Sequence, residues 1–140
     1  MTEFPFVHRE RVRFRDRDAL GHVNNAVYST YLEEARLGVL GGLADFILAR
    51  VEIDFRAELR GGGEIEVRSR CEQIGTKSLD LRHELRADGR LVAEARSVLV
   101  AYDYERAESV PVPDDLRARL VGAKPRSRPG LVDARPRQPS

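Results

Sequence analysis

Arg15–Leu37 reads RDRDALGHVNNAVYSTYLEEARL, and the rest of the chain is best read outward from it. Asp16 and Asp18 lead into a tight loop at Gly21, followed by His22, Val23, Asn24 and Asn25. From Ala26 to Leu37 the pattern is helical. Tyr28, Tyr31, Leu32, Ala35 and Val39 recur at the spacing that lines one face of a helix with apolar groups, while Glu33, Glu34 and Arg36 point elsewhere. Asn24 or Asn25 suits the N-cap, because its side-chain carbonyl can accept an N–H of the first turn. Gly38, Gly41 and Gly42 supply a stop.

The chemistry of such a stretch is specific. A helix start offers unpaired N–H groups and the positive end of the macrodipole, so an acyl carbonyl placed there is polarised and an oxyanion formed on it is stabilised. One donor of this kind is worth roughly 10²–10³ in rate. A carboxylate held upstream by a glycine turn can attack that carbonyl or activate a water beside it, and Asp18 has that place. The same residues also serve as plain turn chemistry, with Asp side chains accepting from nearby backbone N–H groups. Spacing alone leaves both readings open.

Around this stretch lie strand-like runs. Val7–Phe14 comes first. After a connector at 38–46, with a possible turn of helix at Leu43–Leu48, four runs follow. Val51–Arg60, Glu64–Cys71 and Leu79–Arg86 alternate apolar and charged residues. Leu91–Tyr104 is more continuously apolar, as expected of a strand covered on both faces. Gly61–Gly63, Gly75 and the hairpin pair Asp88–Gly89 punctuate the runs. One long helix with five largely antiparallel strands is an α+β chain whose apolar sheet face has one obvious partner, the helix.

Composition sets the bounds. The 140 residues fit a single domain, 41% hydrophobic and 6% aromatic with no Trp, so the core must come mainly from aliphatic side chains. The net charge of +1 gives the whole molecule no strong electrostatic preference, and no nucleic-acid partner is expected. No apolar run reaches the ~18 residues of a membrane span, and the N-terminus has no signal-peptide pattern. Cys71, a lone cysteine in an alternating strand, reads as a small core residue; with three His and no paired metal-ligand spacing, neither a metal nor a cofactor is expected. A cytoplasmic location is the expectation that fits. From residue 121 onward the chain carries four prolines, five basic residues and one acid without periodicity, and reads as a disordered tail following a 1–120 domain.

The segment FRDRDALGHVNNAVYxxYLEEAR resembles the signature of the hotdog-fold acyl-CoA thioesterases of the 4-hydroxybenzoyl-CoA thioesterase family, in the branch with D-x-D-x-x-G-H-V-N-N before the central helix. The resemblance runs from residue 7 to about 120. It implies an antiparallel sheet wrapped around one helix, hydrolysis of an acyl-CoA or acyl-ACP thioester, and a homo-oligomer, dimer or dimer of dimers, with active sites between subunits. It implies Asp18 as the catalytic carboxylate and the Asn25 N–H as the donor to the thioester carbonyl. H-V-N-N is also similar to the plant acyl-ACP thioesterases, where an Asp, an Asn and a His act together. Asp18 and His22 match those, but Leu20 stands at the Asn position, which departs from the plant mechanism. His22 would orient Asp18 or donate a hydrogen bond to the thioester, or else pack in the loop against a backbone carbonyl.

Gly21 would let the thioester approach the backbone, and Tyr28 would line the acyl group. Lys77-Ser78 is similar to the basic-Ser element found near CoA in the family, and cations suit the CoA phosphates. Arg56, Arg60, Arg82 and Arg86 are further candidates. Glu33 or Glu34 would be the carboxylate in a second branch that uses a helix-borne Glu, but the intact D-x-D ranks Asp18 first. His8 and His83 have no partners at recognisable spacing, and His83 reads as a satisfied core or interface histidine rather than a base. A non-catalytic acyl-thioester binding protein and a hotdog dehydratase are the alternatives from other classes.

Overall fold

The computed structural model describes residues 4–12, 27–41, 45–58 and 63–123. Its elements in chain order are β1 (Phe6–Arg11), α1 (Val27–Leu40), β2 (Phe46–Phe55), β3 (Glu64–Ile74), β4 (Ser78–Ala87), β5 (Arg90–Asp103), β6 (Glu108–Ser109) and α2 (Asp114–Ala123). The strands form one antiparallel sheet in the order β1-β3-β4-β5-β2, with β6 paired to β5. β3, β4 and β5 are consecutive and hairpin-linked. Asp88 at φ 53° and Gly89 at φ 77° make the β4–β5 turn, as Asp-Gly demands, since a tight hairpin needs both central residues left-handed.

α1 lies on one face of the sheet, and period-two alternation decides which strand residues it covers. At its N-terminal end Tyr28, Tyr31, Leu32 and Ala35 pack with Val12, Ile65, Val67, Leu85, Val92 and Ala93. At its C-terminal end Val39 joins Cys71, Leu79, Leu81, Leu99 and Ala101, together with Leu116 and Leu120 of α2. The five helix residues expected to be apolar and inward are the buried ones. Each buried aliphatic side chain contributes about 1.5–3 kcal/mol through area removed from water.

The opposite face of the sheet is a lattice of charge. Residues two apart on a strand share a face, so Arg68–Glu66 (2.6 Å), Arg70–Glu72 (2.9 Å) and Arg86–Glu84 (3.0 Å) pair along their strands. Arg96–Asp80 and Arg56–Glu94, both 2.9 Å, pair across strands. Arg96 takes two near-parallel bonds to Asp80, at 3.1 Å from Nε to Oδ1 and 2.9 Å from Nη2 to Oδ2.

The structure corrects several boundaries. α1 continues through Gly38 to Leu40 and ends at Gly41, whose φ of +86° takes the helix out of register. Tertiary contact explains the overrun. Arg119 of α2 donates from Nη1 to the Val39 carbonyl (3.0 Å) and from Nη2 to the Leu40 carbonyl (2.9 Å), capping the helix from a distant element. Phe46–Leu48 is strand rather than a turn of helix, because Phe46, Ile47 and Leu48 pair with Ala101, Val100 and Leu99 of β5. β5 is buried on its helix side and only half-covered on the other, since charged side chains rather than a second layer lie there. α2 runs three residues past Leu120, to Ala123. Phe14, Leu43, the Gly61–Gly62 part of the turn and the tail from 124 onward lie outside the described residues.

Candidate functional site

Tyr28 sits in the first turn of α1, only 2% exposed. Its ring meets Phe55 edge-on at 5.1 Å and lies 6.2 Å from Tyr31. Burial pushes its phenol above the ordinary tyrosine range, so it stays protonated and offers an apolar ring with one donor. Phe55 ends β2 and is 45% exposed, so the α1 start carries an aromatic surface partly open to its surroundings. Asp18, Gly21, His22 and Asn25, with the Asn24 alternative for the cap, lie outside the described residues. Glu33 and Glu34 are exposed on the helix's outer side.

Lys77 and Ser78 are elsewhere. They open β4, and Ser78 lies seven residues before Leu85, which packs with Tyr28. At ~3.3 Å per residue that separation is roughly 23 Å along the strand. Within one chain, then, Tyr28 and Lys77 occupy opposite ends of the sheet. Lys77 is exposed and makes no ion pair among the described residues. Of the other candidate cations, Arg56 is engaged by Glu94 and Arg86 by Glu84. Arg82 is exposed on the charged face, and Arg60 lies outside the described residues.

A polar layer crosses the core between these two ends. Ser69 of β3, His83 of β4 and Ser97 of β5 are buried side by side beneath α1. His83 Nδ1 is 2.7 Å from Ser69 Oγ and Nε2 is 3.0 Å from Ser97 Oγ. Arg36 reaches in from the helix and donates to Ser97 Oγ at 3.3 Å. Burial, reinforced by the Arg36 charge, pushes His83 down to about 3, so it is neutral at physiological pH. Burial also lowers Arg36, opposed by the Glu33 carboxylate. The reading of His83 as a satisfied core histidine is borne out. Arg36, read from the helical spacing as pointing away from the apolar face, instead reaches inward; nothing local in the sequence signals this, because Ser69, His83 and Ser97 come from three different strands that only the fold brings together.

A groove of about 750 Å³ opens between α2 and the β5–β6 turn, lined among others by Phe46, Tyr102, Asp103, Tyr104, Asp115 and Arg119. Asp45 and Glu105 add further acid, and Arg119 is already engaged by the α1 carbonyls. A surface of that sign repels phosphates, so its volume does not make it the acyl-CoA site. No group of three or more His, Cys, Asp and Glu able to hold a metal occurs among the described residues. No described helix is long and apolar enough to cross a membrane.

The comparisons with known proteins agree with this geometry. Residues 12–120 match the model of the Thioesterase-like superfamily. The long-chain acyl-CoA thioesterase FadM of Escherichia coli (strain K12) is 27% identical over 122 residues, covering 79% of this chain and 92% of that protein. A thioesterase from Thermus thermophilus, solved with coenzyme A and Zn, superposes with a TM-score of 0.81 at 34% identity, over 91% of this chain and 100% of that one. A predicted thioesterase from Bacillus stearothermophilus gives a TM-score of 0.81 at 25% identity, over 88% of this chain and 98% of its own. With the helix-covered antiparallel sheet already described, these matches make the fold a hotdog fold, and the chain belongs to the Thioesterase-like superfamily.

Proposed function

We propose that this protein hydrolyses an acyl-CoA thioester to the free acid and coenzyme A, as a member of the D-x-D-x-x-G-H-V-N-N branch of the 4-hydroxybenzoyl-CoA thioesterase family. The observation that carries this reading is the match over nearly the whole chain to a thioesterase solved with coenzyme A. The resemblance adds the Asn25 N–H as the donor to the thioester carbonyl, two positions in sequence before Val27, the first described residue of α1. Asp18 acts as nucleophile or general base. An unperturbed Asp, with a pKa of about 3.9, is ionised at neutral pH and needs no activation to attack. His22 orients that carboxylate, Gly21 admits the thioester to the loop backbone, and the acyl group lies against Tyr28 and Phe55. Lys77 and Ser78 receive the phosphates of the nucleotide. The catalytic unit is the domain read as 1–120, carried by α2 to Ala123, with the remaining residues as an appendage. An acyl-ACP substrate would use the same carbonyl chemistry.

The working form is a homo-oligomer built from dimers. β2 is an edge strand, and its Leu48, Val51 and Phe55 are 40%, 38% and 45% exposed. Such an edge invites pairing with another strand. Two copies joined antiparallel along β2 would bring the Lys77 end of one beside the α1 start of the other, because β2 runs from Phe46 at the Lys77 end to Ile53 at the Tyr28 end. The separation of Tyr28 from Lys77 within one chain then becomes a neighbourhood between two.

The test is thiol release from a panel of short, long and aromatic acyl-CoAs, with wild type and Asp18→Asn side by side. Expected is turnover in wild type that falls at least about 100-fold in the variant, the range set by losing a general base or nucleophile. Acyl-CoA binding without turnover would instead identify a non-catalytic binding protein. Turnover surviving Asp18→Asn would sink the assignment of the carboxylate.

A further inference from the structure

Five hydrogen bonds hold the turn that carries Lys77. The Gly75 N–H donates to the Ser78 carbonyl at 2.8 Å, and the Ala101 N–H donates to the Lys77 carbonyl at 2.8 Å. The Val112 N–H donates to the Thr76 carbonyl at 2.9 Å. From α2, Arg117 adds its guanidinium, Nη2 donating to the Gly75 carbonyl at 2.8 Å and to the Thr76 carbonyl at 3.3 Å. The carbonyls of residues 75 to 78 are therefore all drawn toward the protein by donors from β5, from the segment before α2, from α2 and from the turn itself. Carbonyl oxygens are the groups that repel a phosphate. With all of them engaged, what the turn leaves exposed is Thr76 and Lys77, with Ser78 half-buried beside them.

We infer that Arg117 is a positioning residue for coenzyme A binding. It touches no substrate; it neutralises and turns inward the Gly75 and Thr76 carbonyls, so that Lys77 meets the nucleotide phosphates from a fixed turn whose outward face is free of negative ends. This inference rests on the reading of Lys77 as the phosphate contact. A charged donor is what the task requires, because a bond from an ionised group to a carbonyl is roughly twice as strong as a neutral one. Arginine also keeps that charge at any working pH.

The test is calorimetric titration of the full-length protein with coenzyme A and, separately, with pantetheine, which has the thiol arm but no phosphate. Wild type, Lys77→Ala, Arg117→Ala, Arg117→Lys and the double variant Lys77→Ala/Arg117→Ala are compared. Expected is coenzyme A affinity lowered about tenfold in each single alanine variant, the loss of one charge-assisted contact. Arg117→Lys keeps the charge with one reaching donor and recovers part of the affinity. Pantetheine binding stays at the wild-type value throughout. In the Lys77→Ala background, adding Arg117→Ala changes coenzyme A affinity less than about threefold, because the residue acts through the turn that carries Lys77. If Lys77→Ala binds coenzyme A like wild type, the phosphate reading of Lys77 fails and the inference falls with it. If Lys77→Ala weakens binding but Arg117→Ala does not, the reading stands and the inference alone is overturned. An equal loss for pantetheine in Arg117→Ala would mark a purely structural role and also overturn it. Should Arg117→Ala fail to fold, Arg117→Gln, which retains a neutral donor, carries the same comparison.

Discussion

Arg36 Nη1 stands 3.3 Å from Ser97 Oγ, and this contact gives the buried chain beneath α1 a direction. Arginine only donates, so Ser97 Oγ accepts from it. The order that uses every proton then runs from Arg36 to Ser97, from the Ser97 hydroxyl to His83 Nε2, and from His83 Nδ1–H to Ser69 Oγ. The chain ties the helix to three neighbouring strands in the middle of an otherwise apolar face. Ser97→Ala removes the link and leaves both Nε2 and the guanidinium short of a partner in low dielectric. We expect a loss of about 2 kcal/mol in unfolding free energy by urea titration, the cost of an unsatisfied buried polar group. Ser97→Thr keeps the hydroxyl and should recover part of it.

His83 also makes stability depend on pH. Its folded pKa, about 3, lies below the unfolded value of 6.5, so between those limits the unfolded chain binds a proton that the native state refuses. Stability is therefore lost as pH falls from about 6.5, with a slope from this group that approaches 1.4 kcal/mol per pH unit and ends near pH 3. His83→Gln retains a donor and an acceptor but does not titrate. Urea titrations of both proteins at pH 7.5, 6, 5 and 4 should show the gap between them narrowing on acidification. A constant gap would mean that the imidazole is protonated in place.

Two glycines near the end of α1 should respond in opposite senses to the same substitution. Gly38 is within the helix, and a Cβ there meets nothing within 4 Å. Gly38→Ala should stabilise by about 0.5–1 kcal/mol by lowering the entropy of the unfolded chain. At Gly41, φ is +86° and a Cβ would stand 2.9 Å from Arg119 Nη2, the group that caps Leu40. Gly41→Ala should cost about 1–3 kcal/mol through backbone strain and the disturbed cap. Arg119→Ala should cost about 1 kcal/mol, and the double variant less than the sum, since both act on one cap. Thermal melts of wild type and these variants decide this.

The exposed edge of β2 gives a prediction about assembly. Val51, 38% exposed, lies mid-strand with its backbone paired, among the described residues, to Ser97 of β5 on one side only. Light scattering after gel filtration should find wild type as a dimer or a multiple of it. Val51→Lys should weaken association at least tenfold, about 1.4 kcal/mol, because a charged side chain at the edge disfavours strand addition. A wild type that runs as a monomer at micromolar concentration would remove the proposed pairing along β2.

Much of this architecture is local information. Alternation at Ile65, Val67, Ser69 and Cys71, and at Leu79, Leu81, His83 and Leu85, already names the inner face of β3 and β4, because strand side chains switch sides at every residue. The helical spacing from Tyr28 to Val39 names the face that meets them, and Asp88-Gly89 names the hairpin. The motif from Asp18 to Asn25 carries the functional reading by resemblance. Those residues lie outside the described ones, so what is said of them comes from the sequence alone.

Contacts between distant segments decided the rest. α1 ends at Leu40 rather than Leu37 because Arg119, some eighty positions later, supplies donors to its last carbonyls. Phe46–Leu48 is strand because β5 offers it partners. Arg36 is an inward-pointing cation because Ser97 lies beneath it, and Lys77 rests on a turn held by Arg117. Tyr28 and Lys77 stand at opposite ends of one sheet because β4 runs the length of the core between them. Short-range patterns fix which face of an element is apolar; which donor meets which carbonyl depends on the tertiary pairing, where hydrogen-bond geometry is satisfied over distances that periodicity does not encode.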